Sequence, residues 1–335
     1  MYKKLLTISI ASYNTEKFVE ETVNSLLVDD AHLNKMEIIL VNDGSTDRTS
    51  ELAHKLAAEH PGSVLVIDKE NGGYGSTINA SLSAANGKYY KLLDGDDWYN
   101  TRELPGFLDY LEKCEADLVV TPYYEVRESD TLADRHPEIP RDAAAIEDQP
   151  IADRFFAMHE LAIRTDVLRS YDMQIAEHCF YTDTEYVFYC FSAAETIARY
   201  GRPIYRYRLG VDGQSVSLQG TRKHYRDFPN VAKRIISAYT AEEASCAGSK
   251  KATLCFIVQH IVYHTFFAFM LLEEPEGHRQ ELIAFDREIK SKYPEAYRIG
   301  NGSRLVRAAR LLHYNCYTLL CRYALWKYGR EQQCQ

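Results

Sequence analysis

The sequence predicts an α/β fold, with a mostly parallel sheet covered by helices on both faces and a C-terminal helical region after it. Three observations predict this. Apolar runs of strand length alternate with helix-length segments through the first hundred residues. The connections between them are short, which favours parallel strands joined by crossover helices. From residue 223 onward only helical patterning continues, with many aromatic residues.

The elements follow in order. Residues 5–11 read as an apolar strand that ends in Ser12-Tyr13-Asn14, and a helix follows over about 16–27. Residues 36–42 form a second strand, ending in Asn42-Asp43-Gly44-Ser45-Thr46-Asp47; Ser45 or Thr46 can cap a helix over about 48–59. A strand at 63–68 leads through Asn71-Gly72-Gly73-Tyr74-Gly75-Ser76 into a helix over about 76–85. Those glycines let the backbone approach a ligand, or they make a plain turn with Ser76 as the cap. A strand at 88–94 enters Asp94-Gly95-Asp96-Asp97-Trp98, and a helix over about 101–113 and a strand at 117–123 come next. The polar segment 127–150, with three prolines, is long for a structureless loop and reads as a functional excursion. A strand at 160–164, a helix at 183–194 and a strand at 203–208 complete the α/β part. The expected division is a domain at 1–220, with a donor half 1–125 and an acceptor half 126–220, and a helical region at 221–335.

Composition narrows the function. Hydrophobic content of 46% is ample for a core, and a formal charge of −9 argues against general nucleic-acid binding. The eight cysteines show neither a C-x-x-C pair nor zinc spacing, so they read as reduced thiols. The apolar run at the start is short and breaks at Asn14, Glu16 and Lys17, so it reads as a strand of a cytoplasmic protein and not as a signal peptide.

The chemistry gathers at strand ends. Three carboxylates within four residues, Asp94, Asp96 and Asp97, repel one another unless something positive arrives. A divalent cation carrying a diphosphate is the natural candidate, because hard cations bind carboxylate and phosphate oxygens together. An acidic solvated turn is the plain alternative. Ser12-Tyr13-Asn14 and Asp43 lie at the C-terminal ends of the first two strands, the edge where open parallel sheets bind ligands. There Tyr13 can stack on a base and Asp43 can accept from a base N–H; packing and turn capping are the ordinary roles of the same residues. The glycine-rich stretch is not a P-loop, because no Gly-Lys-Ser/Thr follows.

Together, Ser12-Tyr13-Asn14, residues 41–47, Asn71-Gly72-Gly73 leading to Asn79, and Leu93 to Trp98 resemble family 2 glycosyltransferases of the GT-A fold over roughly residues 4–125, with a weaker continuation to about 217. The resemblance implies an inverting transferase that moves a sugar from a nucleotide sugar, with UDP as the expected nucleotide, to a glycan or lipid-linked acceptor of the cell envelope. It implies nucleotide contacts from Ser12, Tyr13, Asn14, Asp43, Asn71, Gly73 and Asp94, with Asp94 at the ribose. It places Mn²⁺ or Mg²⁺ on Asp96, and leaves Asp97 to support the metal site or cap the next helix. A basic residue common before Asn79 is Ile78 here, and an Arg-x-His common at the last strand is Arg208-Leu209-Gly210. Arg208 then reaches phosphate or makes a surface salt bridge, and the loop 212–217 is placed to close over the donor. Aligning Tyr186 with the family's aromatic position makes Asp183 the catalytic base, with Glu185 as the second candidate; both also suit the first turn of a helix. A sugar nucleotidyltransferase and a non-catalytic nucleotide-sugar scaffold are the rival readings.

Two C-terminal stretches stand out. Residues 252–272 carry no formal charge and read as a buried helix, with His260 and His264 as core residues. Residues 304–330 contain no Asp or Glu and read as one basic amphipathic helix, with Leu305, Val306, Leu312, Leu319, Leu320 and Tyr323 on one side and Arg304, Arg307, Arg310 and Arg322 on the other. Such a helix lies on an anionic membrane surface or packs on the domain, which allows peripheral attachment to the inner face of the cell membrane.

Overall fold

The computed structural model describes residues 2–127, 129–152, 154–210 and 217–334. The sheet grows from four parallel strands: β1 (Lys4–Ser12), β2 (Met36–Asp43), β3 (Val64–Lys69) and β4 (Gly87–Asp94). β1 is buried on both faces, as a central parallel strand must be. Leu6, Ile8 and Ile10 fill one face, while on the other Thr7 Oγ1 donates to Glu37 Oε1 at 2.5 Å and Ser9 Oγ donates to Ser81 Oγ at 2.7 Å. In the register Ser12 lies beside Asn42, and Ala11 lies beside Asp94. Parallel pairing therefore lines up the polar strand ends on one edge.

The remaining strands are β5 (Trp98–Tyr99), β6 (Leu118–Val120), β7 (Tyr123–Val126), β8 (Asp130–Ala133), β9 (Ala144–Ala145), β10 (Leu161–Arg164), β11 (Thr196–Arg199) and β12 (Tyr205–Arg208). They extend the main sheet to eight strands, in the order β3-β2-β1-β4-β10-β6-β11-β9, and form a second sheet, β5-β12-β7-β8. β10 runs antiparallel to both β4 and β6, and β9 runs antiparallel to β11; the other strands of the main sheet share one direction.

Several expected boundaries change, each for a local reason. The strand expected at 117–123 is two strands in different sheets, β6 and β7. Pro122 lies between them, and a proline gives no N–H to a ladder. The expected excursion 127–150 contains β8, which pairs with β7, and β9, followed by a 3₁₀ turn, Ile146–Asp148. The helix expected over 16–27 is only Val19–Asn24, because Phe18 N closes a turn on Thr15 O at 2.9 Å. The short helix Thr165–Ser170 and β11 join the expected elements.

The described residues within 1–151, 156–211 and 248–250 form one compact unit, and those within 152–155, 212–247 and 251–335 form a second. The second is helical. Gly248–Met270 is the one helix among the described residues long and apolar enough to cross a membrane, and 67% of its apolar window is buried within the chain. The single helix expected over 304–330 does not form. Arg304–Leu311 and Tyr317–Cys334 are separate helices, parted by His313 and Tyr314 in left-handed conformations (φ 48° and 61°). Arg310, placed on the solvent side by projection, is buried against Asp286, while Leu312, Leu319 and Tyr323 are exposed.

Candidate active site

The rim is built first by the ends of β1 and β2. Asn14 adopts φ 54° and ties the two together: its Oδ1 accepts from Thr46 N at 2.8 Å, and its N donates to Ser45 Oγ at 3.0 Å. Neither Ser45 nor Thr46 caps the next helix; Asp47 Oδ1 instead accepts from Thr49 N at 2.9 Å. Tyr13, beside this clasp, keeps 51% of its surface open to solvent. Ser12 is buried, and its Oγ has no hydrogen-bond partner. A side chain at Gly95 would meet Ala11 O at 2.7 Å and Ser12 Oγ at 2.8 Å, so only glycine lets the acidic turn pass this close to β1.

Asp43 organises the glycine-rich turn. Its Oδ1 accepts from Lys69 Nζ (2.8 Å), Gly72 N (2.9 Å) and Ser76 Oγ (3.2 Å), and its Oδ2 accepts from Gly73 N (2.8 Å). Asn71 Nδ2 donates to the Asp43 carbonyl at 2.9 Å. Oδ1 is therefore committed inside the protein, and Oδ2 carries a single bond. Gly73, at φ 80°, precedes the helix Tyr74–Ala84, which begins earlier than expected and leaves Ser76 within it. Asn79 serves a loop: its Nδ2 donates to Ile175 O, and its Oδ1 accepts from Ile175 N, both at 3.0 Å.

The acidic turn follows β4. Asp94 Oδ1 is buried without a hydrogen-bond partner. Burial, followed by the charge of Asp96, raises the Asp94 pKa to about 8, with Asp183 adding to the rise. Asp97 is almost fully buried; its Oδ2 accepts from Tyr205 OH at 2.6 Å and its Oδ1 from Arg208 N at 2.7 Å. Its pKa is also raised, mainly by burial and then by Asp94 and Asp96. Asp96 is partly exposed, and its carbonyl accepts from Arg208 Nε at 2.7 Å. Arg208 pairs with Glu21 at 2.6 Å and lies 4.3 Å from the centre of the Trp98 ring, so a salt bridge is what the structure shows for it.

His159 was missed by the sequence reading. It lies in a 3₁₀ turn, Met158–Glu160, just before β10, and its ring packs on Tyr205 and Tyr207 at 4.5 and 4.3 Å. No spacing pattern announces it, because the pairing of β10 with β4 is what delivers it. Its Nδ1 has no partner, and burial, helped by Lys91 and Arg135, pushes its pKa down to about 3. Ligand atoms of Asp94, Asp97 and His159 all lie within 4.8 Å of one another. Asp96, the expected metal ligand, is not part of this trio. Two orphaned buried atoms, Asp94 Oδ1 and His159 Nδ1, in a set of carboxylate oxygen and neutral imidazole nitrogen, fit a cation such as Mn²⁺ or Mg²⁺.

The two candidate bases separate. Asp183 and Glu185 are both in the first turn of the helix Thr182–Ala193, which follows Tyr181 in a left-handed conformation (φ 64°). Asp183 is open to solvent, although the protein around it raises its pKa by desolvation, against the backbone N–H groups of Thr184 and of Asp183 itself. Glu185 is fully buried and accepts from Ala176 N at 3.1 Å and Tyr189 OH at 3.4 Å, so it braces the loop that Asn79 also holds. Tyr186 is a core residue near Tyr90. Residues 212–216 of the expected closing loop lie outside the described residues.

Comparisons with known proteins bear on the family and the fold. The profile of Glycosyl transferase family 2 matches residues 7–180. The uncharacterized glycosyltransferase EpsJ of Bacillus subtilis is 28% identical over 218 residues, 61% of each chain. The minor teichoic acid biosynthesis protein GgaB of the same organism is 30% identical over 114 residues, 33% of this chain and 13% of GgaB. The matched part thus spans less than two thirds of these curated relatives. Among solved structures, S. aureus TarS 1-349 in complex with UDP-GlcNAc superposes with a TM-score of 0.71 over 97% of this chain and 92% of that chain, at 18% identity. The mannosyltransferase PcManGT from Pyrobaculum calidifontis, in complex with GDP-Man and Mn²⁺, gives 0.53 over 97% and 86%, at 12% identity. With a GT-A-type α/β fold and a family match across more than half its length, the chain belongs to glycosyl transferase family 2.

Proposed function

We propose that this protein is an inverting, metal-dependent glycosyltransferase. It moves a sugar from a UDP-sugar to a glycan or lipid-linked acceptor in cell-envelope polysaccharide synthesis. The observation that carries this reading is the convergence of Asp94, Asp97 and His159, whose ligand atoms lie within 4.8 Å of one another. The UDP-GlcNAc complex of TarS and the teichoic-acid role in the name of GgaB support the donor class and the setting.

In this reading Tyr13 offers its open ring to the base, Asp43 Oδ2 accepts from a base N–H, and Ser12, Asn14, Asn71 and Gly73 shape the nucleoside pocket. Asp94 faces the ribose and, with Asp97 and His159, would hold Mn²⁺ or Mg²⁺; Asp96 is the further candidate ligand. When bound, the cation supplies positive charge for the leaving diphosphate. Arg208 holds the acidic turn in place and offers its charge to phosphate. Asp183 takes the proton of the acceptor hydroxyl while that oxygen attacks the anomeric carbon. The bond from that carbon to the diphosphate oxygen breaks, UDP leaves with the electron pair, and configuration inverts. The exposed Leu311, Leu312, Leu319, Tyr323 and Trp326, interspersed with basic residues in 304–330, support peripheral contact with an anionic membrane.

Release of UDP from a panel of UDP-sugars with Mn²⁺, for wild type and Asp183→Asn, tests the proposal. Turnover by wild type that is lost in the variant is expected. Metal-dependent nucleotide binding with no turnover across a broad acceptor panel would leave a scaffold, and the transferase reading would fail.

A further inference from the structure

We propose that the helical unit carries a binding site for organic phosphate, a mono- or diester, built wholly from its own residues. A cavity of about 580 Å³ lies there, with Arg287, Lys290, Arg307 and His313 around a floor made by Arg310 and Asp286. That volume suits a small ligand or a headgroup.

The floor is internally satisfied. Arg310 Nη2 and Nε donate to Asp286 Oδ1 at 2.6 and 3.0 Å, and its Nη1 donates to Tyr297 O at 2.6 Å and Asn301 Oδ1 at 3.0 Å. The guanidinium lies 3.7 Å from the centre of the Tyr297 ring, and Asp286 also accepts from Tyr314 OH at 2.6 Å. Asp286 is thereby spent on Arg310, and among the described residues it is the only acid lining the cavity. Among the described residues no ion pair holds Arg287, Lys290 or Arg307, and all three are exposed. A protein of formal charge −9 thus gathers three unneutralised cations around one cavity. Their mutual repulsion is relieved by an anion, and arginine forks match phosphate oxygens in pairs. Ile283 and Leu311, the latter 71% exposed, add an apolar side that a bare inorganic ion does not use. The chemistry is shared by two sources: the headgroup of an anionic phospholipid and a phosphate carried by a soluble glycan. The inference does not depend on the transfer reaction.

The test uses the full chain. Calorimetric titration with sn-glycerol 3-phosphate at low ionic strength should give one site, and the Arg287→Glu/Arg307→Glu variant should weaken it by about tenfold or more. Cosedimentation with phosphatidylglycerol vesicles, but not with phosphatidylcholine vesicles, that is lost in the same variant assigns the lipid source. Binding of the soluble probe alone assigns the glycan source. Both substituted side chains are exposed, so the melting curve should not move; Arg307→Gln, a milder change, should weaken binding in the same direction. Absence of binding by either probe, equal binding by the double variant, or displacement of glycerol phosphate by excess UDP would overturn the site. UDP binding is titrated separately, so a failure of the donor reading shows on its own.

Discussion

Two positions separate Asp183 from Glu185, so on a helix their side chains leave the axis about 200° apart. One is therefore exposed while the other enters the core, which favours Asp183 over Glu185 as the proposed base. Asp183→Asn should lower kcat by about 10²–10⁴-fold while donor binding is kept, measured as UDP release and by titration. The active form of a base is deprotonated, and desolvation raises the Asp183 pKa. The acid limb of kcat/KM should therefore lie above the ordinary aspartate range; a limb at the ordinary value would remove Asp183 from this role. Glu185→Gln should do the opposite, costing about 1–2 kcal/mol of stability by weakening the bonds to Ala176 and Tyr189, with kcat little changed. Thermal melts beside turnover assays separate the two outcomes. Asp43 teaches the same lesson: its place at a strand end was legible, but its internal bonds to Lys69, Gly72, Gly73 and Ser76 were not, because they depend on how the next turn folds back.

At the scale of elements, strands of eight or nine residues such as β1, β2 and β4 announce themselves, because each is long, mostly apolar and ends in polar residues. Among the strands of two to four residues, β10 and β12 were expected at 160–164 and 203–208, but β5, β8 and β9 carry too little pattern to be seen, and their partners, not their composition, define them. The helix Tyr74–Ala84 packs so close to the segment after Asn79's partner Ile175 that a Cβ at Gly75 would sit 2.0 Å from Ala176 O. Gly75→Ala should therefore cost about 1–3 kcal/mol through overpacking, seen as a lower urea midpoint at unchanged slope. An unchanged midpoint would mean that this contact relaxes freely. Helical projection misplaced Arg310 for a related reason. Projection assumes one continuous axis, and the left-handed pair His313 and Tyr314 breaks it. Arg310→Met should cost about 3–5 kcal/mol, because it strands the buried Asp286 carboxylate; the measurement is chemical denaturation, and a loss below 1 kcal/mol would return Arg310 to the surface role first expected of it.

For the whole molecule, the polar edge of the parallel sheet was legible and the way it is completed was not. His159 comes from far along the chain because β10 lies antiparallel beside β4, with Ala162 opposite Lys91. The family match ends at residue 180, before Asp183, so the proposed base rests on the resemblance around Tyr186 and on the exposure of Asp183, not on that match. If the rim binds a nucleoside diphosphate and a cation together, the native state gains stability by mass action, about 2.7 kcal/mol at a ligand concentration 100 times Kd. UDP with Mn²⁺ should therefore raise the melting temperature more than either alone, and EDTA should remove the increment. Asp94→Asn should shrink that gain without lowering the melting temperature of the free protein, since a buried carboxyl whose pKa is raised to about 8 loses little on becoming an amide. GDP tested in parallel ranks the nucleotide. A melting temperature indifferent to UDP, GDP and Mn²⁺ in every combination would mean that the converging side chains Asp94, Asp97 and His159 form a structural polar cluster. Asp183 would then be an exposed residue with no substrate to serve.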